Sequence, residues 1–128
     1  METPVIDYVK FAQLPVFDQD RALAFYRDRL GLVVTQDRPY QGDLRWIELA
    51  IPGARTGIWF AARESEALGQ QPAMILIVKD VRATFDALLA KGVEFVQPPT
   101  EAPWSPAETF AVFRDTEGNM VMLGDARD

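Results

Sequence analysis

The side chains best suited to hold a small molecule are three tryptophans and a glutamate. Trp46 and Glu48 lie two residues apart in the alternating run Leu44 to Ile51, so in a strand they share one face with Ala50, while Ile47, Leu49 and Ile51 take the other. Trp59 follows just beyond the turn PGARTG, and Trp104 sits in the proline-rich run PPTEAPWSPAE. Indole faces stack on planar or cationic groups, and a carboxylate beside them supplies a hydrogen-bond acceptor or a counter-charge. Burial of Glu48 against tryptophan would raise its pKa and equip it as a general acid or base; a rim position with ordinary acidity is the plainer alternative. Arg38 and Arg45 are either contacts for an anion or solvated surface.

Other chemistries are poorly served. The 128 residues include no histidine, which removes the commonest transition-metal ligand and the usual general base near neutral pH. They include no cysteine either, so disulfides and zinc-thiolate sites are out. No serine–histidine pair, glycine-rich phosphate loop or basic stripe stands in the chain. The net charge of -6 argues against nucleic acid as a partner and is compatible with cationic ligands. The N-terminus METPVIDYVK lacks the basic start and apolar core of a signal peptide, and no apolar run is long enough to span a membrane. A soluble, cytoplasmic protein without membrane partners is expected.

The elements that must position these residues are written twice. From Phe11 to Gly31 the chain reads FAQLPVFDQDRALAFYRDRLG: a strand, an aspartate cap, an amphipathic helix and a glycine stop. From Met74 to Gly92 it reads MILIVKDVRATFDALLAKG, the same succession. Val16 and Val78 are 62 positions apart and Gly31 and Gly92 are 61 apart, a fixed period that suggests internal duplication. In the first copy Ile6 to Pro15 should be a strand, Asp18 or Asp20 the cap, and Ala22, Phe25, Tyr26 and Leu30 the apolar stripe. Leu32 to Gln36 reads as a short strand and Asp37 to Asp43, with Pro39 and Gly42, as a loop. Leu44 to Ile51 and Ile58 to Ala61 form a hairpin, and Arg63 to Pro72 reads as a linker. In the second copy Ala73 to Val78 is a strand and Asp80 a cap, with Val81, Phe85, Leu88 and Leu89 as the buried stripe. Val93 to Gln97 is another strand, PPTEAPWSPAE a surface loop, and Thr109 to Arg114 with Met120 to Leu123 a hairpin around Asp115 to Asn119. Asp18, Asp80 and Asp115 are assigned to caps and turns.

This order, with LPVFDQDRALAFYRDRLG near the front and FRDTEGNMVML near the end, resembles the glyoxalase, bleomycin resistance and extradiol dioxygenase superfamily, also called vicinal oxygen chelate proteins. The resemblance covers nearly the whole chain. It implies an α+β fold: one domain of two βαβββ modules, about 6–62 and 73–124, joined by linker 63–72, forming a cupped mixed sheet with helices on the convex side. Enzymes of that family hold a divalent metal with four side chains, one in the first and one in the last strand of each module. The matching positions here are Phe11, Trp59 (uncertain by one residue), Ala73 and Met122. None is a good ligand for a hard or borderline cation, so no metal and no cofactor are expected.

If those positions face the cup, alternation puts Val9, Gln13, Gly57, Ala61, Ile75, Ile77, Met120 and Gly124 on the same concave face. Leu14, Ile58, Phe60, Leu76, Val78, Val121 and Leu123 then pack against the helices. The resemblance implies a metal-free protein that binds a small molecule, sequestering an antibiotic or another planar or cationic ligand. Its expected ligand-binding residues are Phe11, Trp46, Glu48, Trp59, Ala73, Trp104 and Met122, with the cup built within one chain or across a homodimer. Two alternatives stand beside it. One is an enzyme of lyase, isomerase or dioxygenase type, using Glu48 or a carboxylate-based metal site. The other is an interaction module whose aromatics merely fill the cup.

Overall fold

Each helix begins where an aspartate satisfies backbone amides that the first helical turn leaves without partners. In the computed structural model, which describes residues 5–63 and 68–125, Asp18 accepts from the Arg21 amide at 3.1 Å and Asp80 from the Ala83 amide at 3.0 Å. Between the two possible caps of the first helix, Asp18 is the one used. Both helices end at a glycine with positive φ, 78° at Gly31 and 83° at Gly92, a conformation in which a side chain would be strained.

Helix α1 is α-helical over Gln19–Leu23 and continues as a π-helical turn over Ala24–Arg29, closed by the Leu30 amide on the Phe25 carbonyl at 3.1 Å. The wider turn accompanies two adjacent large side chains, Phe25 and Tyr26, that are both fully buried. Helix α2, Val81–Ala90, is a regular α-helix. It buries Val81 and Leu88, but Leu89, assigned to the same stripe from spacing, is 45% exposed. Val81, Phe85 and Leu88 already complete the i, i+4, i+7 face, and the neighbouring residue turns past it toward solvent.

The strands are β1 Phe11–Val16, β2 Val33–Gln41, β3 Leu44–Ala50, β4 Gly57–Ala62, β5 Pro72–Ile77, β6 Glu94–Ala102, β7 Ser105–Arg114 and β8 Met120–Gly124. They form two four-stranded sheets of the same order, β1-β4-β3-β2 and β5-β8-β7-β6. In each, the strand before the helix pairs in parallel with the last strand of its module, and the other pairs are antiparallel.

Three expectations are corrected. The first strand starts at Phe11, not Ile6; before it the Val9 and Lys10 carbonyls accept from the Thr56 hydroxyl and the Gly57 amide. The expected loop 37–43 is strand as far as Gln41. Pro39 sits opposite Arg45 at a register shift, on a strand paired only with β3, where the missing amide costs no ladder bond. The expected proline-rich loop is likewise mostly strand, β6 running through Pro98 and Pro99 to Ala102 and β7 beginning at Ser105; β6 is again an edge with register shifts. Part of the expected linker 63–72 lies outside the described residues, and Pro72 belongs to β5.

One apolar core serves both sheets. Leu14, Ile58 and Phe60 from the first join Phe113, Val121 and Leu123 from the second, with Phe25 and Leu88 from the helices. Leu76 and Val78 pack against this cluster while only partly buried. The helix-bearing faces are therefore turned toward one another within the chain. The opposite faces look outward, leaving Ile75 60% and Ile77 48% exposed.

Candidate functional site

The outward face of the first sheet gathers most of the aromatic candidates. Trp59 on β4 is paired with Gln13 on β1 and with Glu48 on β3, and Glu48 with Gln36 on β2, so these four make one cross-strand row. The Trp46 and Trp59 rings lie 5.0 Å apart, tilted by 37°, and the Trp46 indole N–H donates to Glu48 Oε2 at 2.6 Å. Tyr40 meets Trp46 edge-on at 5.3 Å. Trp46 and Trp59 line a cavity of about 160 Å³ together with Tyr40 and Arg45. Both indoles and Glu48 are half-buried, reachable from solvent rather than sealed in the core.

The cavity is held in shape from behind. The Gln19 side-chain amide bonds both backbone groups of Arg45, donating at 2.7 Å and accepting at 3.0 Å, which ties α1 to β3. The Arg45 guanidinium bonds Asp20 at 2.6 Å and both oxygens of Asp37 at 3.0 Å. Hydrogen bonding to Asp37 and then Asp20 holds that guanidinium more basic than usual, and the Arg45 bond holds the Asp37 carboxyl below its ordinary value. With its charge engaged by two carboxylates, Arg45 is a brace for the cavity wall.

Phe11 lies one row along the same face, opposite Gly57. Gly57 has a steric reason to be glycine: an added Cβ would come 2.7 Å from the Leu49 carbonyl oxygen and 3.4 Å from the Phe11 ring.

The other candidates lie on the second sheet. Met122 pairs with Ile75 on one side and Val112 on the other, and Ala73 is exposed on β5. Trp104, 58% exposed, donates its indole N–H to Glu108 at 2.7 Å and lies 5.0 Å from the Phe110 ring. Ile75, Ile77, Trp104, Phe110 and Met122 line a groove of about 400 Å³. Trp46 and Trp59 line one cavity and Trp104 and Met122 the other, while Phe11, Glu48 and Ala73 line neither, and the single chain does not bring the candidates together. Tyr40 and Glu108 were missed because they lie in segments whose prolines argue for loops, and Phe110 because its partner Trp104 lies in such a segment. The period-2 spacing of Arg38 and Tyr40 was the available signal.

A third polar cluster joins the modules. Glu117, whose side chain has no exposure, accepts from the Phe17 amide at 3.0 Å, the Asp18 amide at 2.7 Å, Arg21 Nε at 2.7 Å and the Thr116 hydroxyl at 3.0 Å. Burial pushes this carboxyl up, but Arg21, the two amides and Thr116 outweigh it and hold Glu117 below the ordinary glutamate value. Asp115 accepts from the Tyr26 hydroxyl, from the Glu117 and Asn119 amides at 2.8 Å each and from the Asn119 side chain at 3.1 Å. That side chain also donates to the Pro15 carbonyl at 2.7 Å. Burial first, then the Asp115 charge, pushes Tyr26 well above its usual pKa. No buried side-chain polar atom among the described residues lacks a partner, so this cluster is a satisfied structural junction.

Phe11, Trp59, Ala73 and Met122 do not fit a divalent cation. Two carry no donor atom, the indole nitrogen of Trp59 only donates, and a thioether prefers soft metals. Among the described residues no three His, Cys, Asp or Glu side chains converge to hold one elsewhere. No helix among them is long and apolar enough to cross a membrane.

Paired sheets of this order, each with a helix behind and an open face in front, define the βαβββ class. The chain belongs to the Glyoxalase/Bleomycin resistance protein/Dioxygenase superfamily, which it matches over residues 6–123. It is 36% identical to YurT of Bacillus subtilis (strain 168), across 84% of this chain and 91% of that protein. Among solved structures it is similar to UcmS2, at 30% identity and a TM-score of 0.80 over 95% of this chain and 100% of that one. It is also similar to TnmS3, an antibiotic binding protein from Streptomyces sp. CB03234, at 28% identity and a TM-score of 0.82 over 98% of this chain and 100% of that one.

Proposed function

We propose that this protein binds and sequesters a small planar or cationic organic molecule, without a metal, in a cup that two copies of the chain complete together. The observation that carries the proposal is the pair of indoles, Trp46 and Trp59, set 5.0 Å apart in an open cavity instead of in the core, with Glu48 bonded to the Trp46 indole and paired across strands with Trp59. Stacked, accessible aromatics beside a carboxylate suit capture of a flat or positively charged ligand. The similarity to TnmS3, an antibiotic binding protein, supports the same reading. The side chains at Phe11, Trp59, Ala73 and Met122 favour contact over chelation.

The second copy enters because the first sheet's aromatic face and the groove beside Met122 both turn away from the shared core. A partner that sets its second sheet against the first sheet of this chain would bring Met122 and Trp104 to Trp59 and Glu48. It would also cover the exposed Ile75 and Ile77.

Titration calorimetry with a panel of flat aromatic compounds, on protein purified without chelators, tests this reading. The expected result is saturable binding at one ligand per chain, unchanged ligand recovered afterwards, a dimer in sedimentation equilibrium and no stoichiometric metal. Ligand bound to the native state also raises the melting temperature by linkage. Conversion of a bound compound to product would overturn sequestration, and a monomer that binds fully would overturn the shared cup.

A further inference from the structure

The two modules superpose in order, yet the rows crossing their outward faces have opposite character. In the first sheet the row is Gln13, Trp59, Glu48 and Gln36. In the second, the row through Met122 is Ile75, Met122, Val112 and Gln97. Gln13 and Ile75 lie 62 positions apart, and Gln36 and Gln97 lie 61 apart, so the rows correspond through the duplication. At two of the four positions a glutamine or an acid on one wall, Gln13 and Glu48, corresponds to an aliphatic residue on the other, Ile75 and Val112.

Glu48 is partly committed and partly free. Oε2 is held by the Trp46 indole at 2.6 Å, while Oε1 has no partner among the described residues. This accessible oxygen, held in position through Oε2, can accept from a charged donor on a ligand, and charge-assisted bonds are the stronger kind. Strands β2 and β3 carry two arginines. Arg45 is engaged by Asp20 and Asp37, and Arg38, opposite Trp46 on β2, is exposed at the rim and forms no ion pair with Glu48. On the second wall, Glu108 is occupied by the Trp104 indole at 2.7 Å and the Thr109 amide by Asp125 at 2.9 Å. The groove there offers mainly aliphatic, aromatic and thioether surface.

We infer that the ligand is an amphipathic cation: a flat apolar body lying on the Ile75–Met122 wall, with a protonated nitrogen directed to the free oxygen of Glu48. This rests on the shared-cup reading above and adds a polarity and an orientation to it. The opposite polarity, an anion drawn to Arg38, is the competing outcome.

Three acridines of one shape separate these outcomes: 9-aminoacridine, cationic near neutral pH; acridine, mostly neutral; and acridine-9-carboxylate, anionic. Affinities are read by tryptophan quenching and calorimetry on the intact protein at low salt. The cation should bind about tenfold more tightly than the neutral compound, the gain of one charge-assisted bond, and the anion most weakly. Glu48→Gln, which keeps an acceptor for Trp46, should erase the preference by bringing the cation down to the affinity of acridine. Met122→Gln should weaken the cationic and neutral compounds by a similar factor, since it alters the wall carrying the ring system. Unchanged melting temperatures would show that both variants fold. Equal affinities, a preference for the anion, or a cation preference that survives Glu48→Gln would each overturn the polarity while leaving the cup intact. Binding of none of the three would overturn both readings.

Discussion

The hairpin turn of the first module, Pro52 to Arg55, is exposed throughout, whereas that of the second holds Asp115, Glu117 and Asn119 at 7%, 2% and 5% exposure. Both turns connect the last two strands of a module, and each carries a glycine with positive φ, Gly53 and Gly118. Only the second reaches across to the other module, bonding backbone or side chains of Pro15, Phe17, Asp18, Arg21 and Tyr26. The two modules share one strand order, yet one turn is the junction between them and the other stays at the surface. A buried carboxylate is tolerable there because each of its oxygens meets donors.

The largest effect should come from removing that junction. Glu117→Ala leaves the Phe17 and Asp18 amides without their acceptor and removes the ion pair to Arg21, and should cost about 3 kcal/mol, in the range for breaking a buried charged pair. Arg55→Ala in the corresponding turn should be nearly neutral, as surface changes usually are. Urea midpoints of the two variants check the contrast directly. Similar losses in both would mean that the modules are held mainly by the apolar core.

The same junction sets the pH limits. Glu117 has a folded pKa below its unfolded value, so its stabilisation is complete above the ordinary glutamate range. It is lost as pH falls from about 4.5 toward the folded value. Tyr26 has a raised folded pKa; above about pH 10 the unfolded chain releases its proton first, and stability falls as pH rises. Denaturation midpoints across pH should show both limbs, with Tyr26→Phe flattening the alkaline one and Glu117→Gln the acid one. An alkaline limb that persisted in Tyr26→Phe would place its cause elsewhere.

A third effect, intermediate in size, concerns the outward face of the first module. Gly57→Ala puts a methyl group 2.7 Å from a backbone carbonyl that cannot swing away, an overpacking that should cost about 1–3 kcal/mol. Gly124→Ala, at the end of β8 in the second module, meets only the Ile77 Cδ1 at 3.7 Å, an ordinary contact. Thermal melts of the two variants should differ clearly, and equal melting temperatures would mean that β3 and β4 part easily at this point.

What was legible beforehand follows from the range of the interactions. Caps and glycine stops are local, so Asp18, Asp80, Gly31 and Gly92 could be placed from neighbours alone. Alternation fixed which residues of β4 and β8 face the core, Ile58, Phe60, Val121 and Leu123 among them. Prolines misled in β2 and β6 because a missing amide is penalised only where a neighbouring strand would have bonded it. Edge position is decided by sheet order, not by the strand's own residues. Glu117 was taken for an ordinary turn residue because its partners lie up to 100 positions away. Tyr40 and Phe110 went unnoticed as neighbours of Trp46 and Trp104 for a local reason: each pair meets because a segment read as loop, 37–43 or 98–108, is largely strand.

The smallest effect is the one that compares the modules most closely. Asp18→Ala and Asp80→Ala each remove an N-cap of the same geometry and should each cost about 1 kcal/mol. They differ behind the cap: the Asp18 backbone amide donates to Glu117 at 2.7 Å, whereas among the described residues Asp80 bonds within its own helix start, its side chain accepting from Ala83 and its carbonyl from Thr84. The cap at Asp18 therefore helps hold an amide that Glu117 needs. In double-mutant cycles, Asp18→Ala with Glu117→Gln should couple by about 0.5 kcal/mol or more, because the two share a network, and Asp80→Ala with Glu117→Gln should add within error. Equal additivity in both cycles would show that the first helix start is fixed by its own cap alone, and that the junction is built upon it without reinforcing it.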